Sequence, residues 1–216
     1  MPKKEYMLID WDYVYNLARG VSQKIRDSGF MPDIVVAIAR GGWCPARILC
    51  DFLLQKNLYS INIEHWGITA SITGEAKITN PLHIDLSGKR VLIVDDIADT
   101  GESVKIALGH IKTLGAKEVK TATLQYITTS SFVPDYYEET LEQWKWVVFP
   151  WNFHEDVSNI TGKVLAEKGK MRQEEIKKAL EKDLGISITS KRLREVIDNM
   201  EFHRKIKREG KFLVPV

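Results

Sequence analysis

The sequence predicts an α/β fold, a mostly parallel central sheet flanked by helices, followed by a small C-terminal helical unit. Three observations carry that reading. Residues 34–39, IVVAIA, are apolar with no alternation, the pattern of a parallel strand covered on both faces. Residues 90–95, RVLIVD, repeat the pattern and then run into more acids. From residue 34 onward, strand-like and helix-like segments alternate as β–α–β–β–α–β–β.

Each segment has its own cause. Residues 12–27 place Val14, Leu17, Ala18, Val21 and Ile25 on one helical face, with Asp10 or Asp12 available as a cap. After the strand at 34–39 comes RGGW, then a helix over 45–56 opened by Pro45, a residue suited to a first helical turn. YSINIE at 59–64 reads as a strand. Residues 66–80 are polar and small, with Gly67 and Gly74 inside and Pro81 next, so a loop is expected there. A helix over 102–114 ends at Gly115, and two further strands are expected at 118–126 and 145–149. Beyond about residue 155 three helical stripes follow: Val157, Ile160, Val164 and Leu165; then Ile176, Leu180 and Leu184; then Leu193, Val196, Ile197 and Met200. Gly169 and Gly185 separate them. This unit is short for a core of its own and is expected to pack on the α/β domain.

Composition excludes several classes. The 216 residues are 44% hydrophobic and 28% charged, ordinary for a globular protein. No apolar run approaches the roughly 18 residues a membrane span needs. The start lacks an apolar stretch of signal-peptide length, so a cytoplasmic location is expected. Charge is uneven: residues 157–216 hold 15 Lys and Arg against 9 Asp and Glu, and the remainder holds 16 against 20. Cys44 and Cys50 lie six apart and point to different helix faces, which disfavours a bridge. The five histidines, His65, His83, His110, His154 and His203, form no triad and no metal spacing.

Residues 91–103 read VLIVDDIADTGES. In open α/β sheets ligands sit beyond the carboxyl ends of strands, and this segment falls at such an end. Gly101 lets backbone approach a ligand, and the N–H groups of residues 99–103 open a helix whose dipole favours an anion. Thr100 and Ser103 add hydroxyls. Carboxylates do not bind phosphate; Asp95 and Asp96 suit vicinal hydroxyls or Mg²⁺. A phosphate cradle beside acceptors for a diol describes a ribose 5-phosphate. At a second strand end, IARGGW at 38–43 offers two glycines and Arg40, whose fork can bind phosphate oxygens.

The first cluster resembles the phosphoribosyl diphosphate (PRPP) motif of type I phosphoribosyltransferases: four apolar residues, two acids, two variable residues and D-T-G-x-[ST]. Every position fits, and the likeness extends over about residues 7–155. It implies the type I phosphoribosyltransferase fold, with residues 1–155 as the catalytic domain including a base-binding hood and 156–216 as a separate three-helix unit. It implies that Asp95 and Asp96 hold the ribose hydroxyls with Mg²⁺ nearby. Ile97, Ala98, Asp99, Thr100, Gly101, Glu102 and Ser103 would wrap the sugar and its 5′-phosphate, and Asp99 would contact the purine imidazole during catalysis. Ala39, Arg40 and Gly41 correspond to the pyrophosphate loop, Arg40 neutralising the leaving group. Residues 66–80 correspond to a mobile loop in which Lys77 could meet pyrophosphate.

WVVFPW at 146–151 is similar to the W-x-x-x-P-W stretch of bacterial xanthine-guanine phosphoribosyltransferases. Carried over, Trp146 stacks on the purine and Val147 supplies backbone contacts. The bacterial stretch continues with Asp where this chain has Asn152. LQYITTSSFVPDYY at 124–137 matches the hood of the 6-oxopurine enzymes at its FVPDYY end, but their base-reading lysine is Ile127 here. No Lys or Arg occurs between Lys120 and Lys145. A lysine rewards the position-6 acceptor of hypoxanthine or guanine and repels the amino group of adenine. Its absence points to adenine, giving AMP and pyrophosphate, unless Tyr126, Gln125 or Thr128 donates to an oxygen there. The alternatives are a 6-oxopurine enzyme and a PRPP-sensing DNA-binding regulator, since three helices plus a hairpin at Glu209-Gly210 look like a winged helix. Nucleic acid binding by that unit is the less favoured reading. The resemblance also implies a homodimer.

Overall fold

The computed structural model describes residues 5–65 and 76–216. They form two compact units: Trp11–Trp144, and a second made of the chain up to Asp10 together with Lys145–Val216.

In the first unit, helix α1 (Trp11–Asp27) precedes strand β2 (Ile34–Ala39), helix α2 (Trp43–Phe52), β3 (Leu58–His65), β4 (Ala76–Asn80), β5 (Arg90–Ala98), helix α3 (Glu102–Thr113), β6 (Glu118–Ile127) and β7 (Glu139–Leu141); β1 (Tyr6–Leu8) belongs to the other unit. The sheet order is β4-β3-β2-β5-β6-β7, parallel throughout except for β4, which runs antiparallel to β3. Val36, Ile38, Val91 and Ile93 join Val104, Ala107 and Ile111 of α3 in one buried cluster. Val35, Ala37, Leu92 and Val94 are also buried and alternate onto the opposite face. Burial on both faces is why IVVAIA and VLIV show no alternation.

The expectations differ from the fold in four places. Residues 76–80 are an edge strand, not loop; exposed polar residues on an edge carry little strand signal. Residues 66–75 of the expected loop lie outside the described residues. The helix expected over 45–56 starts at Trp43 and stops at Phe52. Strand β5 does not stop at Asp95; pairing with β6 continues through Asp95↔Thr123 to Ala98↔Tyr126, so both acids are strand residues.

The second unit contains β1, β8 (Trp146–Val148), α4 (Phe153–Lys168), α5 (Gln173–Leu184), α6 (Ser190–Phe202), β9 (Ile206–Glu209) and β10 (Phe212–Pro215). Strand β8 is not part of the large sheet. It pairs in parallel with β1, Tyr6↔Trp146 to Leu8↔Val148. The three expected helices are present, and Met171 bridges Leu213 of the β9–β10 hairpin, which gives the helix–bridge–helix–helix–hairpin order of a winged helix. This unit does have its own core: Val157, Leu165, Ile176, Leu180, Leu193 and Val196 are fully buried, with Tyr6, Leu8 and Trp146 packed against them. Recruiting the N-terminal strand and residues 145–152 supplies the apolar surface that 60 residues lack alone. The compact units therefore divide at Lys145, eleven residues before the boundary read from the sequence.

Candidate functional site

The carboxyl ends of β2 and β5 lie side by side, because Ile34–Ala37 pair in register with Val91–Val94. That register brings the two motifs together. Gly41 faces the Asp96 carboxylate so closely that a Cβ there would lie 2.7 Å from Asp96 Cγ. A Cβ on Gly42 would come within 2.7 Å of the Ile38 carbonyl oxygen. A side chain at 42 would meet backbone and one at 41 would displace the Asp96 carboxylate, so the two glycines let the RGG turn rest on the acidic strand end. The Ala39–Arg40 peptide is cis, and Arg40 is exposed.

The turn after β5 is equally specific. Gly101 has φ +79° and caps α3, and a Cβ there would meet Phe132 Cβ at 2.5 Å and Ser130 Oγ at 2.7 Å. Thr100 Oγ1 accepts from Glu102 N at 3.3 Å. The Thr100 carbonyl accepts from Ser131 N at 3.0 Å and Ser131 Oγ at 2.8 Å, and Lys105 Nζ donates to Ser131 Oγ at 2.8 Å. The turn is thus held by the loop after β6, while the first amides of α3 have no intrahelical acceptor.

Asp95 Oδ1 accepts from Asp96 N, and Asp96 Oδ1 from Ile97 N, each at 2.9 Å. Desolvation, and then the adjacent Asp96 charge, push the Asp95 carboxyl well above the usual carboxylate range. Asp99 stands at the next bend, where Trp144 Nε1 donates to its Oδ2 at 3.1 Å.

The residues expected to read the base are placed differently. Ile127 is fully buried, with β7 paired alongside at Leu141, so its side chain faces the core. Tyr126 is buried with its ring 5.0 Å from that of Tyr137. Gln125 is buried and its amide donates to Glu139 Oε2 at 2.5 Å; Glu139 Oε1 also accepts from Tyr13 at 2.5 Å. Thr128 is exposed and donates to the Glu142 carbonyl at 3.2 Å. Ala98 is buried too, leaving its backbone as its only contribution. Lys77 is exposed on β4, opposite Glu64. Trp146 and Val147 are half-buried on β8, in the second unit.

The pattern of the phosphoribosyl transferase domain matches residues 8–158. The chain belongs to this family. Among solved structures, a purine phosphoribosyltransferase from Pyrococcus horikoshii is 37% identical with a TM-score of 0.60, over 68% of this chain and 93% of that one. Xanthine phosphoribosyltransferase 1 of Saccharomyces cerevisiae is 32% identical over 56% of this chain and 66% of its own length. A Ruegeria xanthine-guanine phosphoribosyltransferase is 27% identical over 70% of this chain and 88% of its own. The chain thus spans less than two thirds of the length of the yeast relative.

In this family member, the sequence patterns did not mark Trp144, Ser130, Ser131 or Phe132. They reach the Asp99–Ser103 turn across separations of 31 and 45 residues for Ser131 and Trp144. The one available signal was the strand-like TATLQYI at 121–127, whose carboxyl end lies beside that of β5 and so delivers the loop after it to the same place.

Proposed function

We propose that this phosphoribosyltransferase joins a purine base to PRPP, forming a nucleoside 5′-monophosphate and pyrophosphate. The observation that supports this reading is the close approach of Gly41 to the Asp96 carboxylate, which brings the RGG turn against the acidic end of β5. The amides of residues 99–103 take the 5′-phosphate, and Asp95 and Asp96 take the ribose hydroxyls. Arg40 and the backbone of Ala39 and Gly41 take the diphosphate and stabilise the charge that grows on it as the C1′–O bond breaks. N9 of the base forms the new C1′ bond, and Asp99 accepts the imidazole proton.

No group of three or more metal-ligating side chains occurs among the described residues. Two carboxylates beside a diphosphate turn do suit Mg²⁺, which commonly takes one or two carboxylates plus substrate oxygens. Asp95 and Asp96 would hold it, and bound there it would neutralise pyrophosphate charge.

For the base we favour a 6-oxopurine, the substrate class in the names of the yeast and Ruegeria relatives. A second reading, adenine, is favoured by the absence of any Lys or Arg between Lys120 and Lys145. A panel of adenine, hypoxanthine, guanine and xanthine with PRPP and Mg²⁺ separates them. IMP, GMP or XMP formation supports the first, and AMP alone replaces it with the second.

A further inference from the structure

Trp144 lies outside every motif, yet it is the residue whose side chain reaches Asp99. We propose that Trp144 is a positioning residue for Asp99: its indole N–H fixes one carboxylate oxygen so that the other meets the imidazole edge of the purine. This rests on the phosphoribosyl-transfer reading above.

The chemistry of the pair supports that assignment. A carboxylate on a bend has a broad, roughly two-fold χ2 preference and needs an outside partner to hold one orientation. Indole Nε1–H only donates and does not ionise near neutral pH, so it holds the oxygen without competing for a proton. Nε1 donates to Oδ2 at 3.1 Å, which leaves Oδ1 as the acceptor for a ligand. In the reaction the N9–C1′ bond forms, the C1′–O bond to pyrophosphate breaks, and the imidazole N–H proton must leave the base. Oδ1 of Asp99 takes that proton while Oδ2 stays on Trp144. Trp144 is half-buried and is the last residue of the α/β unit, so its ring is not a core requirement.

The test is Trp144→Phe, which keeps an aromatic ring and removes the N–H donor together with part of the ring volume, set against Asp99→Ala and the double variant. With the base that the wild-type enzyme uses best, W144F is expected to lose about 10- to 100-fold in kcat/KM for the base, the fold-change equivalent of a hydrogen bond to a charged group. PRPP affinity by calorimetry should stay unchanged. In the D99A background W144F should cause no further loss, because both act as one unit. The indole proton resonance assigned by its disappearance in W144F should move in D99A, a readout that needs no turnover. Equal losses in both backgrounds, no loss at all, or an unmoved resonance would overturn the proposal. Wild-type protein that turns over no base would instead overturn the reaction reading, and the positioning role with it.

Discussion

At the residue scale, the site depends on what is missing from glycine and on what is buried at Ile127. Gly41→Ala places a methyl group against the Asp96 carboxylate, so the turn must lift off the strand end. PRPP affinity, read by calorimetry, is expected to fall by about tenfold or more, as misplacement of a positioning group does, while the fold survives. Ile127→Lys has a different outcome from the one its sequence position suggests. The side chain is completely enclosed, so the substitution buries an unpaired ammonium instead of presenting a donor to a base. It should destabilise the protein by about 3 kcal/mol or more, visible as a collapse of Tm, with no clean switch of base preference. Asp95–Ser103 and Ala39–Gly41 were legible because each is a contiguous run with its own local chemistry. Trp144 was not, since nothing in EQWKW announces a bond to a residue 45 positions earlier.

At the element scale, the stretch after β6 is pinned by Asp135. Its Oδ2 accepts from Thr121 N at 2.9 Å and Thr121 Oγ1 at 2.8 Å, and its Oδ1 from Lys120 Nζ at 3.0 Å. Desolvation raises this carboxyl, but the bonds from Lys120 and Thr121 outweigh it and hold the group below its usual 3.8. A depressed folded value means the stabilisation is complete above the unfolded value and is lost as pH falls through the folded one. Asp135→Asn should therefore cost about 1 kcal/mol at pH 7, discounted for partial exposure, and erase the difference in urea midpoint between variant and wild type near pH 2. A constant difference at both pH values would show that the charge is irrelevant. Strands β1, β4 and β7 carry little signal in the sequence: each has five residues or fewer and none is a buried apolar run. Strands β2 and β5 were legible because burial on both faces writes apolar runs.

At the scale of the whole molecule, the charge asymmetry marked two units but not where they divide, because β1 and β8 reach their helical partners through tertiary pairing. The winged-helix order invites a nucleic acid reading, yet several of its cations already have protein partners. Arg208 pairs with Glu201 and Asp198, Lys207 pairs with Glu209, and Arg192 lies 3.6 Å over the Phe153 ring. Glu195 and Asp198 share the exposed side of α6 with Lys191 and Arg194. Duplex DNA titrated at low salt is expected to show no saturable, salt-dependent binding; a clear salt slope would restore the regulator reading. On the proposed reading, the joined ends of β2 and β5 transfer a phosphoribosyl group from PRPP to a purine. The most direct measurement is product formation from PRPP, Mg²⁺ and each of the four bases by the wild-type protein, alongside Asp96→Asn. The expected result is a nucleoside monophosphate and one equivalent of pyrophosphate, with turnover reduced about 100-fold or more in D96N. No nucleotide from any base, or full activity in D96N, would contradict it.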